Sequence, residues 1–195
     1  MLVRVALETA RHHSGADEDR LAALEITTAE DYRTFLARIH GFEAAVEATL
    51  RRVADLDPSF VRERQKAGYL QHDLRALGMP AESIATLPQP STIAVRNGAQ
   101  ALGWMFVLER QTLLAGQIRR YLLRTLGESI EPACSYFGAY GDTPGAKFRA
   151  FGAALCAYAH LHAPAAIVAA ANEAFRAQRH WYHAGARESS PRIAS

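Results

Sequence analysis

The sequence predicts an all-α, single-domain helical bundle, on three observations. Apolar residues recur at helical spacing along nearly the whole chain, helix start and stop signals fall between the apolar stretches, and no run alternates apolar with polar residues as a half-buried strand would. The chain has 195 residues, of which 49% are hydrophobic and 22% charged, enough to fill one contiguous core without a second domain. One-sided helices of this kind bury their apolar stripes by packing on one another.

Taken in order, Thr27-Thr28-Ala29-Glu30 has the spacing of a capping box, with Glu30 three residues after a threonine. Tyr32, Phe35, Leu36, Ile39, Phe42, Val46 and Leu50 then form one stripe on a long amphipathic helix. Asp57-Pro58 is a second start signal, because the missing proline N–H costs nothing at the first helical position. The helix that follows carries Phe60, Val61, Leu70, Leu74 and Leu77 and ends at Gly78 and Pro80. Residues 79–97, with Pro80, Pro88 and Pro90, read as a connection, and a helical stretch runs from about Gly98 to Leu126. Ser135 to Pro144 carries turn residues, and two more helices are expected over about 145–161 and 164–184. The domain is therefore placed at 1–184 and a loose tail at 185–195.

Composition narrows the function classes. The formal net charge is +2 from 22 basic and 20 acidic residues, too even a balance to point to nucleic acid or a membrane surface. Cys134 and Cys156 form no C-x-x-C and read as two buried free thiols of a reducing compartment. No apolar leader or membrane-spanning stretch is visible, so a cytoplasmic location is expected. No glutamate has a histidine three residues later, as di-iron bundles require, and H-E-x-x-H, Walker, G-x-G-x-x-G and G-x-S-x-G motifs are missing.

Three separated segments carry the remaining signal. Leu7-Glu8-Thr9-Ala10-Arg11-His12-His13-Ser14-Gly15-Ala16-Asp17 puts Thr9, His13 and Asp17 at four-residue steps, on one face of a helix. A carboxylate near an imidazole fixes its tautomer and strengthens its bond to a metal. His12 has Glu8 one turn back and reads as a solvent-facing pair, while His40, His72, His160, His162, His180 and His183 show no clustered metal spacing and read as surface or capping residues. The second segment is Ala101 to Gln117, and the third is Ser135-Tyr136-Phe137-Gly138-Ala139-Tyr140-Gly141 with Gly145, Phe148 and Phe151. Trp104, Phe106, Phe137, Phe148 and Phe175 suit either a flat apolar pocket or ordinary core.

In that order the three segments, with Tyr32, Phe35 and Leu36, resemble haem oxygenases over about residues 5–182, particularly the bacterial type that supplies biliverdin to phytochromes. The resemblance implies a haem-oxygenase-like bundle with haem, as substrate and cofactor at once, held between the N-terminal helix and the 98–126 helix. It makes His13 the iron ligand, within the family's Thr9–His13–Asp17 frame, and places Phe106, Tyr140, Lys147 and Arg149 around the haem, the basic pair meeting a propionate. Where the family has a glycine after the distal-helix glutamate and a glycine pair four residues on, this chain has Arg110, Leu114 and Ala115; an alignment on Gln117 instead puts Gln111, Ala115 and Gly116 there. Those glycines let a helix backbone approach the haem, so these five residues are the candidate catalytic wall. Ala6 stands where the family usually has a basic residue for a propionate. The implied reaction cleaves haem with O2 to biliverdin, carbon monoxide and iron, using electrons from a ferredoxin or flavoprotein reductase, by a monomer or homodimer. Two other readings share the fold: a haem- or tetrapyrrole-binding or interaction protein without turnover, and, ranked last, a thiamin-degrading or ring-closing enzyme.

Overall fold

The computed structural model of the chain describes residues 1–161 and 164–188, with side chains through residue 184. It is an all-α bundle, with no strand among the described residues. The helices are α1 (Leu2–Glu8), α2 (His13–Leu21), α3 (Ala29–Leu50), α4 (Pro58–Arg62), α5 (Ala67–Ala76), α6 (Ala81–Ala85), α7 (Gly98–Gln111), α8 (Ala115–Leu126), α9 (Pro144–Leu161) and α10 (Pro164–Glu188). The last helix runs beyond residue 184, where the domain was expected to end, and residues 189–195 of the expected tail lie outside the described residues.

Local chemistry sets several boundaries. Asp57 caps α4, its carboxylate accepting the Ser59 N–H at 2.8 Å, with Pro58 in the first turn. The stretch expected as one helix from there to Leu77 is instead α4 and α5, separated by residues 63–66. Gly78 ends it with φ +81, and the Met79 N–H reaches the Leu74 carbonyl in a left-handed cap. The cap of α3 is Thr28, which accepts the Asp31 N–H at 3.1 Å, so the capping pair lies one residue beyond Thr27–Glu30. The 79–97 connection contains the short helix α6.

Two apolar clusters fill the bundle. One joins α7, α9 and α10 with the C-terminal half of α3 around Phe42, Trp104, Phe106, Phe151 and Phe175. The other joins the N-terminal half of α3 with α5, α8 and the 130–137 segment around Tyr32, Leu70, Ile118 and Phe137. The closest helix pair is α7 with α10. A Cβ on Gly103 would sit 2.5 Å from the Ile167 carbonyl oxygen and 2.7 Å from the Ala171 nitrogen, so only glycine allows these backbones to touch.

The stretch expected as one helix from Gly98 to Leu126 is broken by a 3-10 turn over Thr112–Leu114. The break contains no glycine. The Thr112 hydroxyl instead donates to the Glu109 carbonyl at 2.7 Å, a back-bond that bends a helix. The bend divides the two clusters: α7 before it belongs to the first, whereas Leu114, Ala115 and Ile118 after it pack in the second.

Candidate functional site

The N-terminal segment is not one continuous helix. A 3-10 turn over Ala10–His12 separates α1 from α2, yet Thr9 and His13 still meet. Thr9 is fully buried, and its hydroxyl donates to the Val5 carbonyl at 2.7 Å. Its oxygen lies 3.0 Å from His13 Nε2, and with its one hydrogen spent on Val5 it accepts from that nitrogen. His13 is thereby held as the Nε2–H tautomer, leaving the Nδ1 lone pair with no hydrogen-bond partner among the described residues. The ring is half-buried against Phe175 of α10 (centroids 5.5 Å apart) and Phe106 of α7 (6.4 Å), and Phe148 of α9 extends this shelf, 6.1 Å from Phe106. Burial first, and Arg110 second, lower the pKa of His13, so it is neutral, the form that ligates metals, at neutral pH.

Asp17 does not touch His13. It forms a bidentate pair with Arg110, at 2.5 Å and 2.8 Å, across the space between α2 and α7. Nor does His12 pair with Glu8, which binds Arg4. His12 also stacks on Phe175 (5.6 Å, 16° between planes) and lies 3.0 Å from Asn172 Oδ1.

The remaining candidates gather behind the bend. Gln111, Ala115, Gly116 and Tyr140 line a cavity of about 20 Å³ together with Arg20 and Lys66, room for one water molecule. Tyr140 donates to Glu109 Oε1 at 2.8 Å, and Lys66 reaches the same oxygen at 3.0 Å. Next to it, Arg20 binds Glu43 at 3.1 Å and also contacts Gln111, while Tyr136 donates to Glu43 at 2.5 Å. Arg20, Glu43, Lys66 and Glu109 are all buried. Burial opposes the charges of Arg20 and Lys66, but the surrounding carboxylates and phenol oxygens outweigh it and raise both pKa values. Several polar atoms facing this region have no protein partner, among them Arg20 Nε and Nη1, Glu43 Oε2 and Gln111 Nε2, as expected where ordered water completes a network.

This buried ionic network is what sequence reading missed. Glu43 and Glu47 did carry a signal, falling on the α3 stripe with Ile39, Val46 and Leu50. Of the histidines read as surface residues, His40 is buried, at 2% exposure, and burial lowers its pKa. Of the thiols read as buried, Cys156 is half-buried beside the Met1 amine. Trp104 and Phe137 are core residues. Lys147 and Arg149 are exposed on the first turns of α9.

These residues suit haem. Such a group needs an axial nitrogen, flat apolar walls and nearby cations for two carboxylates. His13 Nδ1 would provide the first; Phe106 and Phe175, both buried in the core, and half-buried Phe148 would provide the second; and the exposed Lys147 and Arg149 of α9 would provide the third. Leu114, whose side chain could have crowded a ligand, packs instead into the second cluster. A Cβ on Gly116 would meet only the tip of Arg120, at 3.6 Å, so this face of α8 is open to a close approach. Among the described residues no group of three His, Cys, Asp or Glu side chains could hold a metal ion, and no helix is long and apolar enough to cross a membrane.

Comparison with known proteins identifies the family. Neither the curated proteins nor the solved structures give a match. The family model described as Heme oxygenase matches residues 2–184, nearly the whole chain and every residue of the site described above. The chain belongs to the haem oxygenase family.

Proposed function

We propose that this protein binds haem through His13 and degrades it oxidatively to biliverdin, carbon monoxide and iron. The observation that carries the reading is His13 itself: neutral, tautomer-fixed by Thr9 and packed on Phe106 and Phe175, in a chain that the family model spans. Bound haem supplies the oxygen chemistry, and the protein supplies position and electrostatics.

Each residue has a distinct part. Thr9 sets which ring nitrogen of His13 is free. Phe106, Phe148 and Phe175 form an apolar wall that keeps water from the iron side. Lys147 and Arg149 hold the two carboxylates at the open edge. Gln111, Ala115 and Gly116 line the distal side, where the water-sized cavity lies between them and the Arg20–Glu43 and Lys66–Glu109 pairs. The cavity has room for one water, which Arg20 and Gln111 would hold as a proton source beside the distal bend. Electrons come from a ferredoxin or a flavoprotein reductase.

Haemin titrated into the purified protein should bind at one-to-one stoichiometry with a histidine-ligated ferric spectrum, and reduced ferredoxin in air should then yield biliverdin. The reading fails if haemin leaves the spectrum of free haemin. Haem bound but unchanged under reduction would leave a haem-binding protein without turnover.

A further inference from the structure

α2 and α7 run alongside each other in parallel register. His13 lies over Phe106, and one turn further along both helices Asp17 meets Arg110. The next link in that direction is Arg20 with Gln111. The contacts that tie α2 to α7 at these positions are thus made by side chains, and the ion pair is the link nearest the proposed ligand. Both of its members are sheltered, 17% and 31% exposed, and the geometry is two parallel N–H···O bonds, well above a loose surface pair in strength. His13 feels both charges.

We propose that Arg110 is a positioning residue whose bidentate pair with Asp17 is a latch: it closes α2 onto α7 beside His13 in the ligand-free protein and must part before His13 takes haem. This rests on the reading of His13 as the haem ligand. The latch is built from side-chain tips, so it opens by rotamer change without unfolding either helix. Opening also frees the Asp17 carboxylate, one helical turn from His13, from its bond to α7. Arg110 therefore delays entry, and Thr9 alone continues to fix the tautomer of His13 once the latch is open.

The test is the rate of haemin uptake by Arg110→Gln in stopped flow, with amide hydrogen exchange over residues 13–21 of the ligand-free protein as a second readout. Haemin carries two carboxylates, so removing a cation should by simple electrostatics slow its approach. The latch predicts the opposite: uptake roughly tenfold faster, with faster exchange in α2. The reversed pair, Asp17→Arg with Arg110→Asp, should return uptake to near the wild-type rate, because it restores the link at unchanged net charge. Uptake in Arg110→Gln equal to or slower than wild type overturns the latch while leaving the haem reading intact. If wild type and variants alike take up no haemin, it is the haem reading that falls. The exchange measurement then decides by itself whether the pair ties α2 down, and unchanged exchange rejects it.

Discussion

Glu47 Oε1 accepts the backbone N–H of Lys66 at 2.5 Å and that of Ala67 at 3.1 Å, so a buried carboxylate of α3 caps the start of α5. Burial outweighs these hydrogen bonds and pushes the Glu47 pKa up to about 7. The folded state therefore binds this proton more tightly than the unfolded chain does. The stabilisation is full below the ordinary carboxylate pKa and is lost as pH rises towards about 7, a difference on the order of 3 kcal/mol. Urea unfolding of wild type and Glu47→Gln at pH 5 and pH 8 checks it. The variant should gain relative to wild type at the higher pH, and a difference that does not change with pH would refute the assignment.

Lys66 and Glu109 are expected to stand or fall together. Glu109→Ala leaves the Lys66 ammonium buried without its main counter-charge and should cost about 3–5 kcal/mol. Lys66→Met combined with Glu109→Leu should recover most of that loss, since it removes both desolvation penalties. A double variant as unstable as the sum of its two single variants would show that the pair is not coupled.

Two glycines should respond in opposite ways. Gly103→Ala drives a methyl into the α10 backbone and should destabilise by about 1–3 kcal/mol. Gly116→Ala meets no close neighbour and, lying within α8, should be neutral or stabilising by up to about 1 kcal/mol. Gly116 belongs to the proposed distal side, so haemin affinity should nonetheless fall. Thermal melts and haemin titration of both variants measure the two effects independently.

The neighbouring histidines separate on spectroscopy. His13→Ala should abolish the histidine-ligated ferric spectrum, whereas His12→Ala, which loses a stack on Phe175 and a contact with Asn172, should keep it. Retention of that spectrum in both single variants would place the ligand elsewhere.

Sequence legibility followed the range of the interactions. Asp57-Pro58 and Gly78-Met79-Pro80 mark helix ends through chemistry within a few residues, and both lie where they were read. Thr27 and Thr28 are equally good caps locally; Thr28 is the one used. The Thr9–His13 contact was foreshadowed by spacing, although Asp17, in the same frame, turned to Arg110, 93 residues away, a partner no local pattern could supply. The buried ions were hidden for the same reason: Arg20 meets Glu43 and Gln111, and Lys66 meets Glu109, across 23, 91 and 43 residues. Glu43 and Glu47 were visible on the α3 stripe, but a pattern built on apolar residues passes over carboxylates that sit among them.

The bend at Thr112–Leu114 also determines how stiff the distal wall is. A wall that bends through glycines can flex at that point, because glycine leaves many backbone states open both before and after folding. Here the joint is made of residues with ordinary side chains and closed by the Thr112 hydroxyl on the Glu109 carbonyl. The unfolded chain has fewer conformations to lose, and the folded joint is set at a fixed angle. Whatever lies against α8 meets a surface already in its final shape and gains its contacts without ordering the helix first.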